Sequence, residues 1–316
     1  MRARPTSALL ISAAFLCCGT LAPAAASADD RSANRTTLAV IGDVPYGESQ
    51  EATFGQLVDA INADPKVRRV VHVGDTKNGS TPCTDERLTA ILAAFQSFED
   101  SVVYTPGDNE WTDCHRPLAG GYNPLERLAA LRSRYFAQPG STLGRQPGRV
   151  DAQPQLVENV RWVQSRVVFA TLHVVGSNNG LALWTGEPAV ADEQAAEVAA
   201  RIDAAVAWID TAFDVAERDG MEGLVLMMQA DTFPTGTGHE AIVERIAARS
   251  TDFGGPVLLV QGDSHQYLVD HPTGMPSSLT RIVVHGETLP FEYLRLTIDP
   301  RDPALFTWDR VPVGAP

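Results

Sequence analysis

The chain has 316 residues, of which 44% are hydrophobic, and a formal net charge of −14 at pH 7. This acidity argues against a nucleic-acid backbone or an anionic membrane surface as the main partner, because both repel an acidic protein. A phosphorylated substrate is still allowed, since bound cations can invert the local field. The length fits one large α/β domain or two small ones.

The first 28 residues are typical of a signal peptide. Arg2 and Arg4 give a positive start, residues 7–21 are apolar, and the small residues 26–28 suit a cleavage site. We therefore expect an exported protein, periplasmic or extracellular, in which residues 29–316 form a single domain. No other stretch is long and apolar enough to predict a transmembrane segment.

Cys83 and Cys114 are the two cysteines that follow the signal-like segment. In an oxidising compartment an even number of cysteines favours a disulfide, and two unpaired thiols are the alternative. A bridge would close a loop of about 30 residues and would stabilise the fold by roughly 3 kcal/mol.

The apolar patterns of residues 37–108 predict three strands separated by two amphipathic helices. This alternation implies parallel strands joined by helical crossovers. A Gly-Asp pair follows each strand and supplies Asp43, Asp75 and Asp108. Open α/β sheets bind ligands at the carboxyl ends of their strands, so three carboxylates are expected at one edge. The predicted strands are 37–41, 69–73 and 101–104.

The second half of the chain continues the alternation of strands and helices. A long helix is predicted at 192–217, with an apolar stripe that faces a core. A buried strand at 223–228 ends before Gln229, and another at 256–260 ends before the sequence Gly-Asp-Ser-His of residues 262–265. The other predicted elements are strands at 156–164 and 167–175, helices at 125–136 and 239–248, a loop at 138–153, and antiparallel strands at 281–284, 293–298 and 305–308.

The order of these motifs resembles that of calcineurin-like metallophosphoesterases, including purple acid phosphatases. The segments GDVPYG, VGDTKNG, PGDNEW, MMQAD and QGDSHQY follow the family's order over residues 37–265. The resemblance implies an α/β fold, a two-layer β-sandwich flanked by helices. It also implies a phosphoesterase, exported if the signal-like segment is cleaved, that hydrolyses a phosphate mono- or diester through a metal-activated water at a carboxylate-rich dinuclear site.

Carried over residue by residue, the resemblance implies two divalent cations. The first would be held by Asp43, Asp75 and His265, and the second by Asp75 as a bridge, Asp108, Gln229 and Asp263. Carboxylate and amide ligands favour Mn²⁺, Mg²⁺ or Ca²⁺, with Fe or Zn²⁺ also possible.

The chain departs from the family pattern where the family has histidines. Asn109 stands at the position of the catalytic histidine, Gln229 at that of a lone metal-binding histidine, and Asp263 at that of the first histidine of Gly-His-x-His. His115 is the candidate for the missing general acid, with a solvent-facing loop residue as the alternative. His72, within a predicted buried strand, is better explained as structural.

Three polar residues are candidates for contacts with a phosphorylated small molecule or headgroup. Lys77 would bind a phosphate oxygen as a point charge, or is a surface lysine. Asn178 and Asn179 would donate to substrate oxygens, although a turn explains the sequence Asn-Asn-Gly equally well. Asp231 is either near the metals or a loop acid.

The alternative function is a binding protein that keeps the fold and weak cation binding but has lost catalysis with its histidines. Retention of the three strand-end aspartates favours the enzyme, and the loss of histidine at Asn109 favours the binding protein. The sequence gives no indication of the oligomeric state or of the substrate's identity.

Overall fold

The computed structural model describes residue 1 and residues 35–314, so the predicted signal peptide falls almost entirely outside the described residues. The helices are α1 Gly47–Asn62, α2 Asp85–Phe95, α3 Pro124–Tyr135, α4 Gly176–Asn179, α5 Asp192–Arg218 and α6 Glu240–Phe253. The strands are β1 Thr36–Ile41, β2 Arg69–His72, β3 Ser101–Tyr104, β4 Asp151–Ala152, β5 Val160–Gln164, β6 Val167–Thr171, β7 Gly223–Met227, β8 Val257–Gln261, β9 Leu268–Asp270, β10 Leu279–Val283, β11 Glu292–Ile298 and β12 Phe306–Pro312. Within this part of the chain, no helix combines the length and the apolar character needed to cross a membrane.

The strands form two sheets. One has the order β12-β11-β1-β2-β3 and the other β4-β5-β6-β7-β8-β10-β9. Strands β1, β2 and β3 run parallel, as do β6, β7, β8 and β10. The helices α1, α2, α5 and α6 lie in the crossovers between successive parallel strands. The predicted α/β class is therefore confirmed, and the carboxyl ends of the parallel strands share an edge in each sheet.

The two sheets pack face to face, and helices cover their outer faces. Along β1, Leu38 and Val40 point into a core shared with Phe169 and Val225 of the other sheet. The alternate residues of β1 face a second core formed with α1 and α2, because successive side chains of a strand point to opposite faces. Helices α5 and α6 cover the outer face of the seven-stranded sheet in the same way. This arrangement confirms the predicted sandwich flanked by helices.

Several predicted elements differ from the structure. The strand predicted as antiparallel at 281–284 is wrong in direction, because β10 runs parallel to β8 and antiparallel only to the short strand β9. The strand predicted at 167–175 ends at Thr171. The other differences are peripheral. The segment before β5 is a turn rather than a strand, in which Leu156 and Asn159 donate backbone bonds to Gln153 and Leu156 respectively. The predicted loop at 138–153 contains the edge strand β4, and β9 was not predicted. Both edge strands have only two or three residues, which is too short for a period-two pattern to be recognised.

Cys83 and Cys114 form a disulfide, with their Cα atoms 5.8 Å apart. The bridge joins the loop after β2 to the loop after β3. These loops carry two of the strand-end aspartates, so the bridge fixes part of the edge at which they meet.

Candidate metal centre

The strand-end aspartates lie together, as the sequence predicted. Among the described residues, two groups have ligand atoms within 4.8 Å of one another. The first group is Asp43, Asp75 and His265, and the second is Asp75, Asp108 and Asp263. Asp75 belongs to both groups and lies between the loops after β1, β3 and β8.

Several of these residues have left-handed backbone conformations. The φ angles are 54° at Asp43, 60° at Asp75, 70° at Asp263 and 61° at His265. Such a conformation in a residue with a Cβ costs roughly 1–3 kcal/mol and persists only where the surrounding structure holds it. Strain concentrated at these positions is typical of a functional site.

Glycines allow the carboxylates to approach the backbone. A Cβ at Gly107 would lie 2.0 Å from Asp75 Oδ1, and a Cβ at Gly176 would lie 2.7 Å from both Asp108 Oδ2 and Asp263 Oδ1. Neither position can carry a side chain without displacing the cluster. The glycine before Asp108 is therefore explained by the crowding of carboxylates at this edge.

The carboxylates are buried and close to one another, which disfavours their charged forms. Burial raises the pKa of Asp43 well above its ordinary value, and the nearby charge of Asp263 raises it further. Burial and the charge of Asp108 do the same to Asp75, and they raise the pKa of Asp263 to about 7. Buried carboxylates this close together repel one another unless a positive charge lies between them. The cluster is therefore best explained as a site for a bound cation.

The first group has the geometry of a cation site. His265 Nε2 lies 3.6 Å from Asp43 Oδ1, while Nδ1 donates to Glu287 Oε2 at 2.6 Å. A carboxylate behind a histidine fixes its tautomer and turns the other ring nitrogen toward a metal. Tyr46 donates its hydroxyl to Asp75 Oδ2 at 2.9 Å. His265 is 28% exposed, so the group is open to solvent on that side.

The second group encloses the side-chain amide of Gln229, which is fully buried. Gln229 Nε2 lies 3.2 Å from Asp75 Oδ2, 3.2 Å from Asp108 Oδ1 and 3.1 Å from Asp263 Oδ1. Its Oε1 accepts the backbone N–H of Gly176 at 2.6 Å. A backbone N–H can only donate, so this bond identifies the oxygen end of the amide. The predicted ligand role requires that oxygen to face the carboxylates, whereas the structure turns it away from them.

The comparisons with known proteins address the fold. No protein-family model and no curated protein matches the sequence. The structure is similar to a purple acid phosphatase from yellow lupin (Lupinus luteus) seeds, with a TM-score of 0.50 and 10% identity over 89% of this chain and 54% of that one. It also aligns with a 5′-nucleotidase from Candida albicans (TM-score 0.43, 8% identity, 88% of this chain and 52% of that one) and with GAP50, the anchor in the inner membrane complex of Plasmodium (0.46, 9%, 89% and 90%).

The chain has the calcineurin-like metallophosphoesterase fold. It spans about half the length of the lupin phosphatase and of the nucleotidase. At this level of identity the likeness concerns the fold alone, so the chemistry of the site has to be argued from the residues themselves.

Asn109 is the residue that the sequence analysis placed at the position of a catalytic histidine. Its Nδ2 donates to Asp75 Oδ2 at 2.8 Å and to the Tyr46 hydroxyl at 2.9 Å. Its backbone N–H donates to Asp75 Oδ1 at 3.1 Å. An amide cannot take up or release a proton at neutral pH, so Asn109 orients Asp75 rather than transferring protons.

His115 and His72 are both held by backbone contacts. His115 Nδ1 accepts the backbone N–H of Thr185 at 2.8 Å, and burial lowers the pKa of the ring. His72 is fully buried, with Nε2 2.8 Å from the Val44 carbonyl and Nδ1 accepting from the Gly74 N–H at 3.1 Å. Its structural role therefore agrees with the sequence, while the catalytic role of His115 stays a prediction.

The three predicted substrate contacts lie at this edge but are engaged within the fold. Lys77 is only 2% exposed, and its Nζ donates to the backbone carbonyl of the next residue. Asn179 is buried, and Arg201 donates to its carbonyl oxygens. Asn178 is exposed, but its side-chain oxygen accepts the backbone N–H of Gly238 at 2.9 Å. Both asparagines have left-handed φ angles, 53° and 56°, as residues of a turn can have, and their role in substrate binding stays a prediction.

Arg116 is a site residue that the sequence analysis missed, because no motif includes it. Its Nη2 lies 2.7 Å from Asp113 Oδ2 and 3.3 Å from Ser177 Oγ. Ser177 Oγ in turn lies 2.8 Å from Asp108 Oδ2. The Arg116 side chain is 43% exposed, so part of its guanidinium faces solvent beside the carboxylates.

Glu287 and Tyr46 were also missed. Tyr46 belongs to the segment GDVPYG, three residues after Asp43, so the sequence alone could have identified its hydroxyl as a candidate site group. Glu287 lies in the loop after β10, far from any recognised motif, and only the folded structure brings it to His265. The Asp231 carboxylate accepts from Arg281 Nη1 at 2.6 Å. Its backbone N–H donates to Asp263 Oδ2, so Asp231 helps to hold Asp263 in position.

Proposed function

We propose that this chain is an exported metal-dependent phosphoesterase that hydrolyses a phosphate mono- or diester. The observation that carries the proposal is the convergence of Asp43, Asp75 and His265 within 4.8 Å, in a cluster of buried acids with raised pKa values. The calcineurin-like metallophosphoesterase fold supports it, because the cluster lies at the carboxyl ends of parallel strands.

Asp43, Asp75 and His265 would hold the cation, and Glu287 would keep the imidazole of His265 in position. Two carboxylates and one imidazole favour Mn²⁺, Mg²⁺ or Ca²⁺, with Fe or Zn²⁺ also suited to such a mixed set. A cation bound there supplies Lewis-acid chemistry, since it neutralises phosphate oxygens and makes water a better nucleophile at neutral pH.

The other residues of the site would bind and orient the substrate. Arg116 offers guanidinium N–H groups to phosphate oxygens, for which its planar shape is well suited. Asn109 and Tyr46 hold Asp75 by hydrogen bonds, so that the cation and the phosphate have a fixed position. The proposed substrate is a phosphorylated small molecule or headgroup, attracted locally despite the net charge of −14.

Export is part of the proposal. It is supported by the signal-like first 28 residues and by the disulfide between Cys83 and Cys114, a bond that persists in oxidising compartments. We further propose that residues 29–316 act as one domain.

A second candidate function is cation binding without catalysis, which Asn109 favours. An amide at this position orients Asp75 but cannot protonate a leaving group. In that case the same cluster would hold a cation for a structural or recognition role.

The two functions are distinguished by hydrolysis assays. Chelator-stripped protein is given a chromogenic phosphomonoester or phosphodiester, and Mn²⁺, Mg²⁺, Ca²⁺ or Zn²⁺ is added back in turn. We expect turnover to return with at least one cation and to be lost in Asp75→Asn. The matched control is Asp252→Asn, an exposed aspartate in α6, which is expected to retain activity. Cation binding without turnover would favour the second function.

A further inference from the structure

We propose that the side-chain amide of Gln229 occupies the second cation position, so that the protein binds one divalent cation, at Asp43, Asp75 and His265. The inference deepens the proposed function and rests on its metal-binding part. It replaces the two-cation expectation that the family resemblance implies.

Gln229 Nε2 places an N–H donor among the oxygens of the second group. The nitrogen lies between 3.1 and 3.2 Å from one oxygen each of Asp75, Asp108 and Asp263, the three members of the second group. Its two hydrogens are shared among these three oxygens, whose lone pairs a cation would use. Mn²⁺, Mg²⁺ and Ca²⁺ bind oxygen at about 2.0–2.6 Å, so an ion among these oxygens would lie against the N–H hydrogens. An amide nitrogen has no lone pair to offer the ion in return.

The amide is also fixed in this orientation. Gln229 is fully buried, and its Oε1 accepts the Gly176 N–H at 2.6 Å. A half-turn of the amide would set its NH₂ group against that N–H. The resulting buried donor without an acceptor costs roughly 1–3 kcal/mol. There is little room for the side chain to withdraw, because a Cβ at Gly74 would already lie 2.7 Å from Gln229 Cβ.

The first group differs on the side where His265 meets Asp43, because two lone pairs face each other there. Glu287 accepts the Nδ1 hydrogen of His265, which leaves the Nε2 lone pair facing Asp43 Oδ1 at 3.6 Å. This distance is too long for a hydrogen bond. It is close to the separation of two ligands that share an ion, each at about 2.0–2.2 Å from it. Asp75 accepts hydrogen bonds from Tyr46 and Asn109, so the open part of the first group is the face between His265 and Asp43. The second group is filled by the Gln229 donor instead.

The test is the number of cations bound per chain. Chelator-stripped protein is titrated with Mn²⁺ by calorimetry, and the bound metal is counted by elemental analysis and by electron paramagnetic resonance. We expect one Mn²⁺ per wild-type chain, with the spectrum of an isolated ion. Gln229→Ala removes the amide and is expected to bind two, with a spectrum of coupled ions. Gln194→Ala removes a buried glutamine that donates to Gly180 O and Ala182 O instead, and is expected to bind one.

The number of ions bound by the wild type and by Gln229→Ala either supports or overturns the one-cation inference. Two ions in the wild type, or one ion in both the wild type and Gln229→Ala, would overturn it. If Gln229→Ala does not fold by circular dichroism, Gln229→His replaces it, because an imidazole lone pair in place of the N–H group is also expected to give two ions. No ion in the wild type would overturn both this inference and the metal-dependent function. One ion without hydrolytic activity would leave this inference standing and remove the proposed function.

Discussion

The imidazole of His265 is held by Glu287, with Nδ1 2.6 Å from Oε2. The carboxylate fixes the ring so that Nε2 faces the aspartates. We therefore predict that Glu287→Ala weakens Mn²⁺ binding by about 10- to 100-fold, as the loss of a group that orients a metal ligand commonly does. Calorimetry measures the change, and Glu244→Ala, an exposed residue of α6, is the control. Unchanged affinity in Glu287→Ala would contradict the positioning role of Glu287.

The pH dependence of stability follows from Asp263. Burial and the charge of Asp108 raise its pKa to about 7 from an ordinary value of 3.8. A carboxyl group with a raised folded-state pKa destabilises the fold as pH rises from about 4 to 7, because the unfolded chain loses its proton first. At pH 8 the cost has an upper bound of about 4 kcal/mol. We predict that metal-free Asp263→Asn is more stable than metal-free wild type at pH 8.

Urea unfolding in the presence of a chelator measures this difference at pH 5 and at pH 8. The advantage of Asp263→Asn is expected to be larger at pH 8 and to shrink when Mn²⁺ is added. A variant less stable than the wild type at pH 8 would contradict the raised pKa.

The disulfide is expected to stabilise the fold substantially. Cys83 and Cys114 are 31 residues apart, and closing such a loop contributes about 3 kcal/mol on the chain-entropy model. The double variant Cys83→Ala and Cys114→Ala should lose about that much free energy of unfolding in urea without reductant. A loss below about 1 kcal/mol would mean that the unfolded chain is not restrained by the bridge. Mass spectrometry of the non-reduced protein should find the two peptides linked.

Arg116 provides a test of how the substrate is held. Its guanidinium is bonded to Asp113 and Ser177 and is partly exposed beside Asp108. A charge-assisted hydrogen bond contributes roughly 1.5–3 kcal/mol, so Arg116→Ala should lower kcat/KM for a phosphomonoester by about 10- to 100-fold. The loss should fall mainly on KM, and cation binding should be unchanged. Arg245→Ala, at the surface pair with Asp210, is the control.

The fold and the acidic part of the site could be predicted because local patterns encode them. The apolar runs before Gly-Asp predicted the parallel strands, and the rule for strand ends then placed Asp43, Asp75 and Asp108 at one edge, while the family resemblance added Asp263. These inferences need only the period of apolar residues and the order of elements.

The partners of those acids could not be predicted in the same way. Glu287 reaches His265 through a loop after β10, and Arg116 reaches Ser177 across a separation of 61 residues. The orientation of the Gln229 amide depends on the N–H of Gly176, a contact between two loops of different strands. The family resemblance placed Gln229 at the position of a metal-binding histidine. Only the folded contacts reveal which end of its amide faces the carboxylates.

In the proposed function, a cation held by Asp43, Asp75 and His265 drives phosphoester hydrolysis. The most direct test follows turnover of a chromogenic phosphoester and Mn²⁺ occupancy in the same titration of chelator-stripped protein. We predict that turnover rises in proportion to occupancy of the tightest site, and that Asp43→Asn loses both together. Turnover that does not depend on occupancy, or that survives in Asp43→Asn, would contradict cation-driven hydrolysis at this site.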